Sequence, residues 1–209
     1  MYTLSCLHQK TSKIEKMSHD CKTIFYQELS RQIKNSIQFY ETLQDQIESV
    51  PFPRVDYYVL LQNISILYHA YWQAQKYLDD WYSLEENSIH KSIVYHHVSF
   101  DHFQFKDGQG YFIDYHDCYE GIMVYDFAAF FRREWYQMDA IKMWDKYQEN
   151  LSLLESDRLL MNTFILLPDI IHFEDSLYNN TVCIHKILDY LDYTFQFLSK
   201  ENEKYQETN

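Results

Sequence analysis

The sequence predicts a mainly α protein carrying one short β-hairpin, and three observations support this. The 209 residues include only three glycines and three prolines, which leaves few places for a sharp turn. Long stretches on either side of the middle repeat apolar residues at three- and four-residue steps, the period of a helix. All three glycines, Gly108, Gly110 and Gly121, fall within "YHHVSFDHFQFKDGQGYFIDYHDCYEGIMVYDFAAFFR", residues 95–132, together with four of the ten histidines.

From Cys21 to Ser49 the apolar positions Leu29, Ile33, Tyr40, Leu43 and Ile47 fall on one helical face, and Pro51 and Pro53 then end the helix. In the next segment Leu60, Ile64, Leu67, Tyr71, Ala74, Leu78 and Trp81 alternate spacings of four and three, predicting a second long helix antiparallel to the first. Phe103, Phe105, Tyr111 and Ile113 alternate with polar residues around KDGQG, the pattern of two strands and a tight turn. No strand pattern is visible before the glycine-containing stretch. Helical periodicity returns with Phe127, Phe130, Phe131 and Trp135, continues with Leu160, Phe164 and Leu167 before Pro168, and ends with Ile184, Leu188, Leu191, Phe195 and Leu198. The length suits one domain over residues 1–200. It comprises a helical hairpin at 21–86, the unusual segment at 95–121 and closing helices at 123–200, and a polar tail at 201–209 is expected to fray.

Eighteen basic against 31 acidic residues give a formal charge of −13, which repels phosphate backbones and anionic headgroups and argues against nucleic acid or membrane as a partner. No apolar run approaches the roughly 18–20 residues needed to cross a bilayer, and MYTLSCLHQKTSKIEK lacks the basic start and apolar core of a signal peptide. Cys6, Cys21, Cys118 and Cys183 show no CxxC spacing, as expected of reduced thiols in a cytoplasmic protein. Twenty tyrosines and 14 phenylalanines suit a large aromatic core with wetted tyrosine rims.

The unusual segment brings together His96, His97, Asp101, His102, Asp114, His116, Asp117 and Asp126. Carboxylates at a strand end can hold a divalent cation, and nearby imidazoles favour manganese or zinc over magnesium. The alternative is a set of hydrogen-bonded or surface imidazoles without a metal. Asp126 could also cap the helix that begins YDFAAFF. A metal-dependent phosphohydrolase with a His…His-Asp…Asp set is a further reading, using His116-Asp117 with His96 or His102 before it and Asp126 after it.

The run YFIDYHDCYEGIMVYDFAAFFR resembles the I-D-[FWY]-x-D-x-x-x-G-x-x-x-x-D-[LF]-A stretch that closes the active site of aminoglycoside phosphotransferase and choline kinase-like proteins. Ile113-Asp114-Tyr115, Asp117, Gly121 and Asp126-Phe127-Ala128 fall in register. LSCLHQKTSK resembles the signature at the start of that family's larger lobe, so the likeness covers nearly the whole chain. The tyrosine-rich hairpin ending YLDDWY and the form SFDHF resemble the spore-coat-associated kinase-like proteins of endospore-forming bacteria. The resemblance implies the C-terminal lobe of a protein kinase-like fold, with the N-terminal β lobe absent or encoded upstream of Met1.

In this family a catalytic loop H-G-D-x-x-x-x-N precedes the matched strand, and here the corresponding run is YHHVSFDHFQF. One register sets Tyr95 at the loop histidine, His97 at the catalytic aspartate and His102 at the metal-binding asparagine. A shift by one residue sets Val98 and Phe103 at the last two positions. Neither register restores the Asp and Asn that orient the substrate hydroxyl and hold metal in phosphoryl transfer. The resemblance therefore implies a catalytically degenerate lobe that binds or supports other molecules in the cytoplasm or at a spore coat, with no cofactor. Asp114 stands at the metal-ligand position, and Asp117, Gly121 and Asp126 stand at structural ones. A protein partner or second copy would cover the face of the missing lobe. The alternative is an active small-molecule phosphotransferase, with His97 as base, His102 and Asp114 as ligands to magnesium or manganese, ATP as donor, and its nucleotide lobe encoded upstream or supplied in trans.

Overall fold

The computed structural model describes residues 1–208, with side chains through Lys204. The protein is mainly helical with two small antiparallel sheets. Helix α1 (Tyr2–Thr11) leads into strand β1 (Lys13–Lys16), and α2 (His19–Glu48) and α3 (Val55–Ser83) form the long antiparallel hairpin. Strand β2 (Ser88–Val94) precedes the hairpin of β3 (Phe103–Lys106) and β4 (Gln109–Phe112), and β5 (Tyr119–Ile122) follows. The chain closes with α4 (Val124–Glu134), α5 (Ala140–Gln148), α6 (Glu155–Ile165) and α7 (Leu177–Thr208).

The apolar periodicity places the helices. All seven residues of the α3 pattern, from Leu60 to Trp81, are buried, and Ile33, Tyr40 and Ile47 of α2 join them in the core. The core also contains Phe127, Phe130 and Phe131 of α4, Leu160 of α6, and Ile184, Leu191 and Leu198 of α7. Ser18 caps α2 by accepting from the Cys21 amide at 3.2 Å. The Lys22 ammonium, buried in the first turn of α2, donates to Leu84 O at 2.8 Å and Asn87 Oδ1 at 2.9 Å, fastening the start of α2 to the far end of α3. No helix is long and apolar enough to cross a membrane among the described residues. The four cysteines are free thiols.

Three expectations require correction. Two strands precede the glycine-containing stretch, because β1 and β5 flank β2 in a three-stranded sheet. Four-residue β1 is Lys-Ile-Glu-Lys with only Glu15 half-buried, so it carries no apolar alternation to reveal it. Cross-strand pairs hold it instead, Lys13 to Glu120 at 2.5 Å and Lys91 to Glu15 at 2.6 Å. Strand β4 stops at Phe112, although the Ile113 amide still donates to His102 O at 3.0 Å. Of the tail expected to fray, residues 201–208 continue α7, where buried Glu201 accepts from Arg158 at 2.9 Å and Lys204 pairs with Asp145 at 2.8 Å. Asn209 lies outside the described residues.

Both ends of β2 are held by buried carboxylates from helices. At its start Asp157 of α6 accepts from the His90 amide at 3.0 Å, from the Leu154 amide at 2.9 Å, and lies 2.5 Å from His90 Nδ1. Asp157→Ala leaves two half-buried N–H groups without an acceptor, a cost of about 3 kcal/mol. We expect its melting temperature to fall by on the order of 10 °C; an unchanged value in a thermal melt would show that this anchor contributes nothing.

Candidate functional site

The far end of β2 runs into the site. Asp126, in the first turn of α4, is fully buried. It accepts from the Tyr95 amide at 2.7 Å and the His96 amide at 2.9 Å, and His8 Nε2 of α1 lies 3.2 Å away. His8 Nδ1 lies 2.6 Å from the Tyr147 hydroxyl of α5. With a proton on Nε2 the imidazole donates to the carboxylate, and its Nδ1 faces the phenol. Burial, then the Asp126 and Asp157 carboxylates, raise the Tyr147 phenol well above its ordinary value, so it remains a donor. Helix-capping is not the task of Asp126, because its oxygens face the 95–96 backbone and no side chain caps the start of α4.

This anchor fixes an unusual backbone. His96 has φ +69° and Asp114 φ +72°, the left-handed region that residues with a Cβ adopt at a cost. His97 and Asp114 follow at the two ends of the β3–β4 segment. Gly121 lies on β5 opposite Ser92, where a Cβ would meet the Tyr119 ring and come within 3.2 Å of Val94 Cγ2.

Four of the expected site residues meet at the surface. His97 Nε2 lies 3.4 Å and His116 Nε2 3.2 Å from the same Asp117 oxygen, Oδ2, and His116 Nδ1 contacts Asp114 Oδ1. All four side chains are between 43 and 70% exposed. His102 is not among them: its Nδ1 faces His97 O at 2.8 Å, and its ring packs near Tyr95. This hydrogen bond closes the 97–102 turn. Asp101 stands exposed in the 3₁₀ turn Phe100–His102. In the shifted register Val98 is buried and Phe103 begins β3, so that register presents apolar groups at both positions. A His…His-Asp…Asp metal set is not assembled, because Asp126 is sealed inside while His116 is exposed. Among the described residues no group of three or more His, Cys, Asp or Glu side chains is arranged to hold a metal ion.

No family model, curated protein or solved structure matches the chain.

Tyr95 is the floor of the site. It is 1% exposed, its hydroxyl has no hydrogen-bond partner among the described residues, and Phe112 and Tyr115 pack around its ring. Burial first, and then the Asp114 carboxylate, push its phenol up to about 12. Cys118 is likewise raised, by burial and then by Asp126, Asp117 and Asp114, which keeps it a thiol rather than a nucleophilic thiolate.

Periodicity left two contributors unrecognised. His8 lies inside LSCLHQKTSK but reads as one polar residue on a short helix, and Tyr147 is one tyrosine among 20. Their pairing spans 139 positions, a separation that no local pattern records. The Asp114 hydrogen bond, then the charges of Asp114 and Asp117, hold the His116 imidazole above its ordinary value of 6.5. In an NMR titration we expect its midpoint above that value, and Asp114→Asn to bring it down. An unaltered midpoint in Asp114→Asn would show that the two residues are not paired in solution.

Proposed function

We propose that this chain is a catalytically altered phosphotransferase-like lobe acting as a binding module. The observation that carries the reading is the 95–96 backbone tied to Asp126, with His97, Asp114 and Asp117 projecting from the loops this tie fixes. The family pattern H-G-D places glycine where this chain has His96, and His96 holds the left-handed backbone that glycine adopts most easily. A left-handed residue at this position supports reading the loop in the register of that pattern.

Those side chains argue against phosphoryl transfer. A loop aspartate in such chemistry must reach the substrate hydroxyl, and the metal ligands must face the phosphates. Here an imidazole, His97, stands at the base position and leans on Asp117, while Asp114 is engaged by His116. His102 uses Nδ1 within its own turn. Each of these three groups has one polar atom engaged by a neighbour.

The binding surface is the aromatic face beside this cluster. Between α1 and the β3–β4 hairpin lies a cleft of about 650 Å³, lined by Tyr2, Leu7, Phe103, Phe105 and Tyr111 among others. Phe105 is 72% exposed and Tyr2 61%. A contiguous apolar patch of this kind, rimmed by polar side chains, is typical of protein contact sites, and a two-stranded ribbon gains stability when covered. The partner is another protein or a second copy of the chain, in a cytoplasmic or spore-coat setting.

Thermal-shift titrations with ATP, ADP and GTP, each with magnesium or manganese, test the reading. We expect no cation-dependent rise in melting temperature. A rise that Asp114→Ala abolishes would replace this reading with an active phosphotransferase using His97, His102 and Asp114.

A further inference from the structure

A second cleft lies away from this site. It measures about 760 Å³ and is lined by one face of α2, the 167–170 segment that follows α6, and Arg132 near the end of α4. Arg132 is six residues beyond Asp126, about 9 Å along the helix, and none of the histidines or aspartates described above lines the cleft. Its volume is within the ordinary range for small-molecule sites, about 300–1,000 Å³.

The chemistry of the walls is specific. Two arginines, Arg31 and Arg132, share the cleft with two carboxylates, Glu28 and Asp169. Among the described residues none of these four has an ion-pair partner within 4.0 Å. Arg132 is half-buried, and among the described residues its one hydrogen bond is a long one, 3.4 Å to Leu167 O. A guanidinium offers five N–H donors in a planar fork, so most of its donors remain open to a ligand. Phe25, Leu29 and Pro168 supply apolar wall, and Gln32 and Asn35 extend the lining along α2 beyond Arg31.

We propose that this cleft binds a short unblocked peptide, two or three residues long with apolar side chains. Its terminal carboxylate meets Arg132 and Arg31, and its terminal ammonium meets Asp169 and Glu28. The body between them lies on Phe25, Leu29 and Pro168, and its peptide groups meet the Gln32 and Asn35 amides. Sign and size both select this class. A purely anionic ligand would face two carboxylates in the cleft and a formal −13 on approach, and a purely cationic one would face both arginines. A zwitterion carries no net charge to be repelled, and a short peptide fills more of the volume than a single free amino acid. The proposal is independent of the phosphotransferase-like reading, since no residue is shared between the two sites.

Saturation-transfer NMR on a pool of unblocked tripeptides Gly-Xaa-Leu, with apolar Xaa, provides the test. Parallel pools are N-acetylated or C-amidated, and the proteins are wild type, Arg132→Gln, Asp169→Asn and Arg31→Gln. We expect transfer to the unblocked pool in wild type. Blocking either end should weaken binding about tenfold, the factor for losing one charge-assisted hydrogen bond. Arg132→Gln should remove the penalty of C-amidation, and Asp169→Asn that of N-acetylation. Arg31 and Asp169 are exposed, so their variants report on the cleft even if Arg132→Gln proves unstable in a thermal melt. No transfer in wild type, or equal transfer to blocked and unblocked pools, would overturn the proposal.

Discussion

The carboxylate of Asp126, sealed from water and accepting from the Tyr95 and His96 amides, is the interaction on which the central segment depends. A buried carboxylate without donors is costly, and here two backbone amides and an imidazole supply them. The exchange works in both directions. Those amides sit where the backbone turns through a left-handed residue, leaves the β2–β5 ladder and has no strand partner of its own. Asp126 thus offsets the strain at His96 and sets the direction in which His97 leaves the loop.

The same carboxylate joins distant parts of the chain. Through His8 and Tyr147 it ties α1 to α5, and through α4 it reaches the aromatic core around Phe127 and Trp144. With Asp157 at the opposite end, β2 becomes a rigid beam between two helices. The β3–β4 hairpin has no such support. Its aromatics lean on α1 and Tyr95, and its outer surface stays open. Rigidity at one edge of the cluster and exposed aromatics at the other suit a surface that presents a fixed shape to a partner.

The sequence made the helices legible because burial follows their period. Every position of the α3 pattern from Leu60 to Trp81 is inside, and the KDGQG turn announced the hairpin through its glycines. It hid what is held by polar contacts between distant residues. Strand β1 is short and exposed, and cross-strand lysine–glutamate pairs secure it in place of an apolar stripe. The site was legible as a list of residues but not as an arrangement. The list offers a base at His97 and metal ligands at Asp114 and His102, yet the fold pairs Asp114 with His116 and turns His102 back onto its own loop. Which imidazole meets which carboxylate depends on two left-handed residues, and neither is a glycine that would have marked the place.

Amide hydrogen exchange at Tyr95 and His96, in wild type and in Asp126→Asn, tests the central role of this carboxylate most directly. An asparagine keeps the shape but offers only one acceptor and turns a donor toward an amide. The account predicts slow exchange at both amides in wild type, and about tenfold or faster exchange in the variant while amides of α3 such as Leu67 and Tyr71 stay protected. Fast exchange at Tyr95 and His96 in wild type, or protection unchanged in Asp126→Asn, would contradict it.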